Sequence, residues 1–141
     1  MIRNFKSADI NTVMSIWLNA NKDAHDFIDA AYWENHFDAV KMMIPQAEVY
    51  VSERNGKVSG FIGLAGNDIA GIFVEQSERA KGMGSELLNF AQKERGRLNL
   101  NVYKKNVSAV NFYKRRGFKI VAENMDMETT EIEYHMTWKA E

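Results

Sequence analysis

Residues Arg79-Ala80-Lys81-Gly82-Met83-Gly84-Ser85 decide how this chain folds. Upstream lies Ile69-Ala70-Gly71-Ile72-Phe73-Val74, an apolar and partly β-branched run that reads as a strand. Downstream, Leu87, Leu88 and Ala91 in Glu86 to Gln92 have helical apolar spacing. A basic, glycine-bearing loop therefore feeds the first turn of a helix. That turn has free backbone N–H groups and the positive end of the macrodipole. Gly82 and Gly84 carry no Cβ, so a ligand can approach the backbone closely. These are the features of a phosphate-binding loop.

Working outward, Ile2 to Phe5 reads as a first strand. Ser7 is placed to cap a helix whose stripe is Ile10, Val13, Met14, Trp17 and Leu18. The polar stretch Asn19 to Asp26 is expected to interrupt it. A second helix should carry Tyr32, Trp33, Phe37, Val40 and Met43 and stop before Pro45, the only proline. Asn55-Gly56, between Glu48 to Glu53 and Val58 to Leu64, is a type I′ hairpin signal. Gly66-Asn67 turns the chain into the strand at 69–74. After the loop helix come a strand at Leu98 to Tyr103, a short helix at Ser108 to Arg116 stopped by Gly117, and strands at 118–123 and 131–139. In the last strand Ile132, Tyr134, Met136 and Trp138 share one face.

The order is βααβββαβαββ. The unit at 69–103 predicts a right-handed crossover between two parallel strands. The other connections predict antiparallel pairs. The expected class is α+β with a mixed sheet, in a single domain spanning 1–141. Composition agrees: 141 residues, 45% hydrophobic and 26% charged, is ordinary for one globular domain. A net charge of −1 argues against a general nucleic-acid binder. The chain has no cysteine, which excludes thiolate metal sites and acyl-cysteine intermediates and fits a reducing cytoplasm, the expected compartment. No apolar run reaches the length of a membrane span, and residues 1–6 show no signal-peptide core. Neither nucleic acid nor membrane is an expected partner, and no metal site is expected.

The loop has neither the Gly-Lys-Ser/Thr of a P-loop nor the third glycine of a dinucleotide fingerprint, which disfavours a nucleotide-binding domain. A second constellation lies at Asn106-Val107-Ser108-Ala109-Val110-Asn111-Phe112-Tyr113-Lys114-Arg115-Arg116-Gly117-Phe118. A core-facing helix explains Val110 and the stop at Gly117. It leaves unexplained a tyrosine, whose hydroxyl needs a partner, placed where the two parallel strands lead.

Together the two motifs resemble the GNAT superfamily, the GCN5-related N-acetyltransferases, and His25-Asp26-Phe27 resembles a small bacterial branch of it. Arg79-Ala80-Lys81-Gly82-Met83-Gly84 is similar to that family's Gln/Arg-x-x-Gly-x-Gly/Ala pyrophosphate loop. Asn106, Ala109, Phe112-Tyr113 and Gly117-Phe118 resemble its second acetyl-CoA motif. The resemblance implies a mostly antiparallel sheet with one splayed parallel pair and helices on both faces, with acetyl-CoA as cosubstrate. Phe73 and Val74 would then lie on the strand that pairs with the pantetheine arm. Arg79, Ala80, Lys81, Gly82, Met83, Gly84 and Ser85 would hold the pyrophosphate through their N–H groups. Asn106 would meet the cofactor near its pantetheine, and Tyr113 would face the sulfur as general acid. Gly71 suits a strand bulge or a tight packing contact.

Some members carry a glutamate as general base on the strand before the second motif. The matching position here is Asn101, which cannot take a proton. His25, in Asp23-Ala24-His25-Asp26-Phe27-Ile28, is the alternative acid–base group, with an ordinary pKa of roughly 6.5; a surface histidine or helix cap fits the same sequence. Lys104, Lys105, Lys114, Arg115 and Arg116 form a basic cluster that is either solvated or partly turned to the CoA 3′-phosphate. The acids Asp23, Asp26, Asp29, Glu34 and Asp38 suit a cationic acceptor or a solvated helix face.

The expected activity is N-acetyl transfer by direct attack of a primary amine in a ternary complex. A non-catalytic CoA-binding sensor module of the same fold is the competing reading. The acceptor is a small-molecule amine or a protein lysine or N-terminus, and the chain is expected to be a monomer or homodimer.

Overall fold

The computed structural model describes residues 1–141. In chain order the elements are β1 (Ile2–Asn4), α1 (Ile10–Ala24), α2 (Ala30–Met43), β2 (Glu48–Arg54), β3 (Lys57–Ala65), β4 (Asp68–Val74), α3 (Met83–Glu94), β5 (Arg97–Tyr103), α4 (Val107–Arg115), β6 (Lys119–Met125) and β7 (Ile132–Lys139). The strands form one sheet in the order β1-β2-β3-β4-β5-β7-β6. Every neighbouring pair is antiparallel except β4 and β5. Asn55 and Gly56 have φ of 54° and 75°, the two positive values a type I′ turn needs. The turn sets Arg54 opposite Lys57 and so fixes which face each β2 and β3 side chain takes.

The start of the first helix differs from the expected Ser7 cap. A short 3-10 turn, Ser7–Asp9, precedes α1, and the Asp9 carboxylate accepts the Lys6 N–H at 2.8 Å. Arg3 explains the substitution. Its guanidinium forks onto both Asp9 oxygens at 2.9 and 3.0 Å and reaches Glu53 at 2.8 Å, which locks the ionised Asp9 onto the start of the turn. The far end of α1 also differs: the helix runs on through the polar stretch to Ala24. Asn19 and Asp23 fall on its exposed face, and the buried Asn21 amide donates to the Trp17 carbonyl at 2.9 Å. The polar residues are thus satisfied without ending the helix.

Each face of the sheet has its own core. On one, α3 and α4 bury Met83, Leu87, Leu88, Ala91, Val110 and Tyr113 against Ile62, Leu64, Leu98, Leu100 and Met136. On the other, α1 and α2 bury Val13, Met14, Trp17 and Trp33 against Val49, Val51, Phe61 and Tyr103. Burying one such aliphatic side chain contributes roughly 1.5–3 kcal/mol. No helix is long and apolar enough to cross a membrane.

The exception to this regularity is the β4–β5 junction. The parallel strands pair only at Asp68 and Asn99, then part. β5 instead pairs along its whole length with β7, from Arg97 opposite Lys139 to Tyr103 opposite Glu133. On its other side β4 shifts register against β3: Gly63 faces Gly71 and Leu64 faces Ile69, so Ala70 is an inserted residue. Gly71 serves both roles foreseen for it. It borders the bulge, and a Cβ there would lie 2.4 Å from the Phe73 ring.

The Arg3–Asp9 pair yields a stability prediction. Asp9 is held below its ordinary carboxylate range, chiefly by the Arg3 hydrogen bonds. A depressed carboxylate contributes stability above its unfolded pKa of about 3.9 and loses it as pH falls through the folded value. Asp9→Asn should lower unfolding free energy at pH 7 by about 1.5–3 kcal/mol in urea melts. The gap to wild type should close below about pH 4. A pH-independent gap would assign the loss to packing.

Candidate active site

The loop that the sequence singles out is built as a cradle of free backbone amides. After a 3-10 turn at Gln76–Glu78 the chain reverses through Ala80 and Gly82, with φ of 65° and 89°, and enters α3 at Met83. The N–H groups of Ala80, Gly82, Met83, Gly84 and Ser85 have no protein acceptor, whereas Lys81 reaches Glu78 O at 3.4 Å and Glu86 reaches Gly82 O at 3.0 Å. Free amides at a helix start, under the positive end of its dipole, fit a pyrophosphate. The two glycines act differently. Gly82 supplies a left-handed backbone. At Gly84 a Cβ would make only ordinary contacts, 3.8 Å to Phe112 and 4.0 Å to Val74, so the protein itself leaves room for a side chain.

The side chains of the loop hold it in place. Arg79 Nε donates to the Val74 carbonyl at 3.0 Å, and its Nη1 pairs with Asp23 of α1 at 3.3 Å. Arg116 donates to the Ser85 hydroxyl and to Asn89 Oδ1 at 3.2 Å. Arg79 and Ser85 thus meet protein partners through their side chains.

From the cradle a cleft of about 1460 Å³ opens along the gap between β4 and β5. That exceeds the roughly 300–1,000 Å³ typical for one drug-sized ligand. Its walls come from both faces of the sheet: Trp17, His25 and Trp33 from the α1/α2 side, Phe112 and Tyr113 from the α4 side. Glu75 N–H donates to Ser59 O at 2.8 Å. Strand alternation then turns the N–H of Val74 and Ile72 away from β3, toward the gap, where β5 does not meet them. Phe73, named with Val74 from sequence, contributes its ring, stacked on Phe61 at 4.9 Å.

Tyr113 lines the cleft with its ring in the α3/α4 core, and its hydroxyl makes no hydrogen bond within the chain. Burial raises its pKa well above the ordinary tyrosine value, which keeps it protonated. Asn106 has a structural duty that the sequence reading missed: its Oδ1 accepts the Ala109 N–H at 3.3 Å and caps α4. Its Nδ2 therefore points as donor at His25 Nε2, 3.3 Å away. His25 must offer a lone pair there, which places its own proton on Nδ1, a buried atom without a partner. The ring stacks on Trp33 at 5.1 Å and meets Phe27 and Tyr103 edge-on. Desolvation lowers its pKa, so the imidazole is neutral at pH 7. Asn101, another amide lining the cleft, accepts from His135 Nδ1 at 3.0 Å.

The charged residues sort themselves by partner. Lys104 pairs with Glu123 and Lys105 with Glu131, each at 3.2 Å. Of the basic cluster, Arg115 lines the cleft without an ion-pair partner. Among the acids, Asp23 pairs with Arg79, Glu34 pairs with Lys22 at 2.6 Å, and Asp29 caps α2 through the Ala31 N–H. That disperses most of the acidic face. Sequence reasoning did not single out Glu133, which lines the cleft from β7. The available signal was the alternation of the last strand, which puts Glu133 opposite the core face of Tyr134 and Met136.

A cradle of free backbone amides, an unpaired strand edge and the Tyr113 hydroxyl lie along one cleft, an arrangement that suits a substrate carrying a pyrophosphate. Residues 45–120 match the family model described as acetyltransferase (GNAT) domain. The chain is 32% identical over 140 residues to peptidyl-lysine N-acetyltransferase YiaC of Escherichia coli, covering 98% of this chain and 96% of that one. It is 31% identical to peptidyl-lysine N-acetyltransferase YjaB of Escherichia coli over 87% of this chain and 84% of that one. The solution structure of apo YjaB superposes with a TM-score of 0.88 over 100% of this chain and 98% of that one, at 26% identity. A streptothricin acetyltransferase described as putative, from Bacillus anthracis and in complex with acetyl coenzyme A, superposes with a TM-score of 0.62 over 67% of this chain and 64% of that one, at 22% identity. The chain belongs to the GNAT family of N-acetyltransferases, and its activity is the transfer of an acetyl group. The family's donor is acetyl-CoA.

Two outcomes test the site as built. Gly84→Val fills the space beside the free amides, so calorimetry should show CoA binding weakened by more than about tenfold with the fold kept. Gly84→Ala, with one methyl group, should weaken it less. Unchanged affinity in a folded Gly84→Val protein would place the pyrophosphate elsewhere.

The second outcome concerns His25. With its folded pKa below the ordinary value of about 6.5, the unfolded chain takes up a proton there first. Stability should therefore fall as pH drops below about 6.5 toward the lowered folded value. His25→Gln should flatten this dependence in urea melts between about pH 7 and 5. Equal slopes would mean that the imidazole titrates alike in both states.

Proposed function

We propose that this chain acetylates the ε-amino group of protein lysine residues by direct attack of the amine on acetyl-CoA. The observation that carries this reading is the cleft walled from both faces of the sheet. The cradle at 79–85 opens on the α3/α4 side, while His25, Trp33 and Tyr103 line the α1/α2 side. A donor can enter from one face and a long, slender acceptor from the other, meeting at the gap. Two relatives named as peptidyl-lysine N-acetyltransferases support the choice of acceptor.

Acetyl-CoA supplies an activated acetyl thioester; the chain supplies position and protons. The free amides of Ala80 and Gly82 to Ser85 hold the pyrophosphate, and Arg115 suits the 3′-phosphate. The Val74 N–H is turned toward the gap, where it can receive the charge that the carbonyl oxygen takes on during attack. Tyr113 gives its hydroxyl proton to the departing sulfur, and its raised pKa ensures that the proton is there to give. The acceptor ammonium must first be deprotonated, at about 4–5 kcal/mol for a lysine at pH 7. His25 is proposed to assist through Nε2, its basic atom, and Asn106 must first release that lone pair. Tyr113, with no hydrogen bond of its own in a wall of the cleft, favours catalysis over a sensor role.

The reading is checked by incubating the protein with acetyl-CoA and lysine-containing peptides, following free thiol and peptide mass. Acetylation confined to α-amino groups or to small amines would overturn the lysine assignment. In the same assay Tyr113→Phe keeps the packed ring and should lower kcat by about 10²-fold with the acetyl-CoA KM nearly constant. Wild-type turnover in Tyr113→Phe would make the hydroxyl a packing residue.

A further inference from the structure

Three carboxylates line the cleft: Asp23, Asp68 and Glu133. Asp23 is engaged by Arg79 at 3.3 Å, and Asp68 accepts from the Asn99 amide at 3.3 Å. Glu133 alone has neither an ion pair nor a hydrogen bond. It is partly buried, and the two lysines after β5 are engaged elsewhere: Lys104 is held by Glu123 and Lys105 by Glu131. A free carboxylate drawn out of water lacks a counter-charge, and it favours a ligand that brings one.

Its position is specific. On β7, Tyr134, Met136 and Trp138 pack in the α3/α4 core, so Glu133 and His135 turn to the other face. Glu133 stands opposite Tyr103, and His135 opposite Asn101. Glu133 is thus the diagonal neighbour of Asn101, within about 7–8 Å on the same face. Tyr103, with His25 and Trp33, gives that side of the cleft an aromatic wall suited to an alkyl chain. The Tyr103 hydroxyl donates to Asp126 at 2.6 Å, which fixes the wall and leaves Glu133 unshared.

We propose that Glu133 is the acceptor-recognition residue, binding the ammonium of a cationic amine whose methylene stem lies along Trp33 and Tyr103, with the nitrogen between Glu133 and His25. The proposal rests on the lysine reading above and adds the group that selects for charge. Burial and the neighbouring Asp126 hold the Glu133 pKa above the ordinary range, as expected of a carboxylate awaiting a cation.

The test uses the full chain, acetyl-CoA and two peptides that differ at one position, lysine or the uncharged norleucine. Wild type should bind the lysine peptide at least about tenfold more tightly. Glu133→Gln, close to isosteric, should raise the lysine-peptide KM by about tenfold and erase the preference, with CoA affinity by calorimetry unchanged. Glu133→Asp, which keeps the charge, should restore part of it. An unchanged peptide KM in Glu133→Gln overturns the proposal. So does a wild type that binds both peptides equally, a result that needs no variant. If wild type instead acetylates only a small polyamine, the lysine reading fails by itself. The KM of that amine in Glu133→Gln then decides the role of Glu133.

Discussion

Beyond Asp68 and Asn99 the two parallel strands give up their ladder, and the rest of the molecule is arranged around that loss. Each backbone hydrogen bond forgone costs about 0.5–1.5 kcal/mol net. The strands stay apart because each is committed elsewhere. β5 is paired along its length to β7, and its end is held through Tyr103 to Asp126 in the β6–β7 turn. β4 is bent by the extra residue at Ala70 and held at its far end by Arg79 on the Val74 carbonyl. Two separate cores, one on each face, keep the sheet rigid on either side of the gap.

The gap also explains why the site mixes residues from distant parts of the chain. Asp23 and His25 from the end of α1 meet Arg79 and Asn106 across it. Asn106 performs two tasks with one amide, capping α4 through its oxygen and holding His25 through its nitrogen. The wall on the acceptor side and the helix carrying Tyr113 are therefore coupled by a single side chain. The Glu128–His36 contact at 3.2 Å likewise ties the β6–β7 turn to α2.

Much of this was legible in the sequence, because the relevant signals are local. Asn55-Gly56 dictates its turn through backbone sterics alone, and 79–85 announces a strand-to-helix loop through its glycines. Element order followed, and with it the parallel pair. The readings that fell short depend on partners far away in the chain. Ser7 reads as the cap because the contact of Arg3 with Asp9 leaves no local mark in the sequence. The polar run after Leu18 looked like a break because the Asn21 bond to Trp17 becomes visible only once a helix is assumed. Nothing local marks Glu133, because an acid in a strand gains meaning only once every other acid in the cleft has a partner.

The bare edge of β4 and the free amides at 79–85 have a thermodynamic consequence for the protein in a living cell. A molecule that satisfies them binds the folded chain and has no comparable site on the unfolded one. Mass action then adds about 2.7 kcal/mol to the folding free energy at a ligand concentration of about 100 Kd. That is a large part of the roughly 5–15 kcal/mol that separates folded from unfolded states in typical domains. If acetyl-CoA binds there as proposed, the lifetime of this enzyme against proteases should rise and fall with the supply of its own acetyl donor.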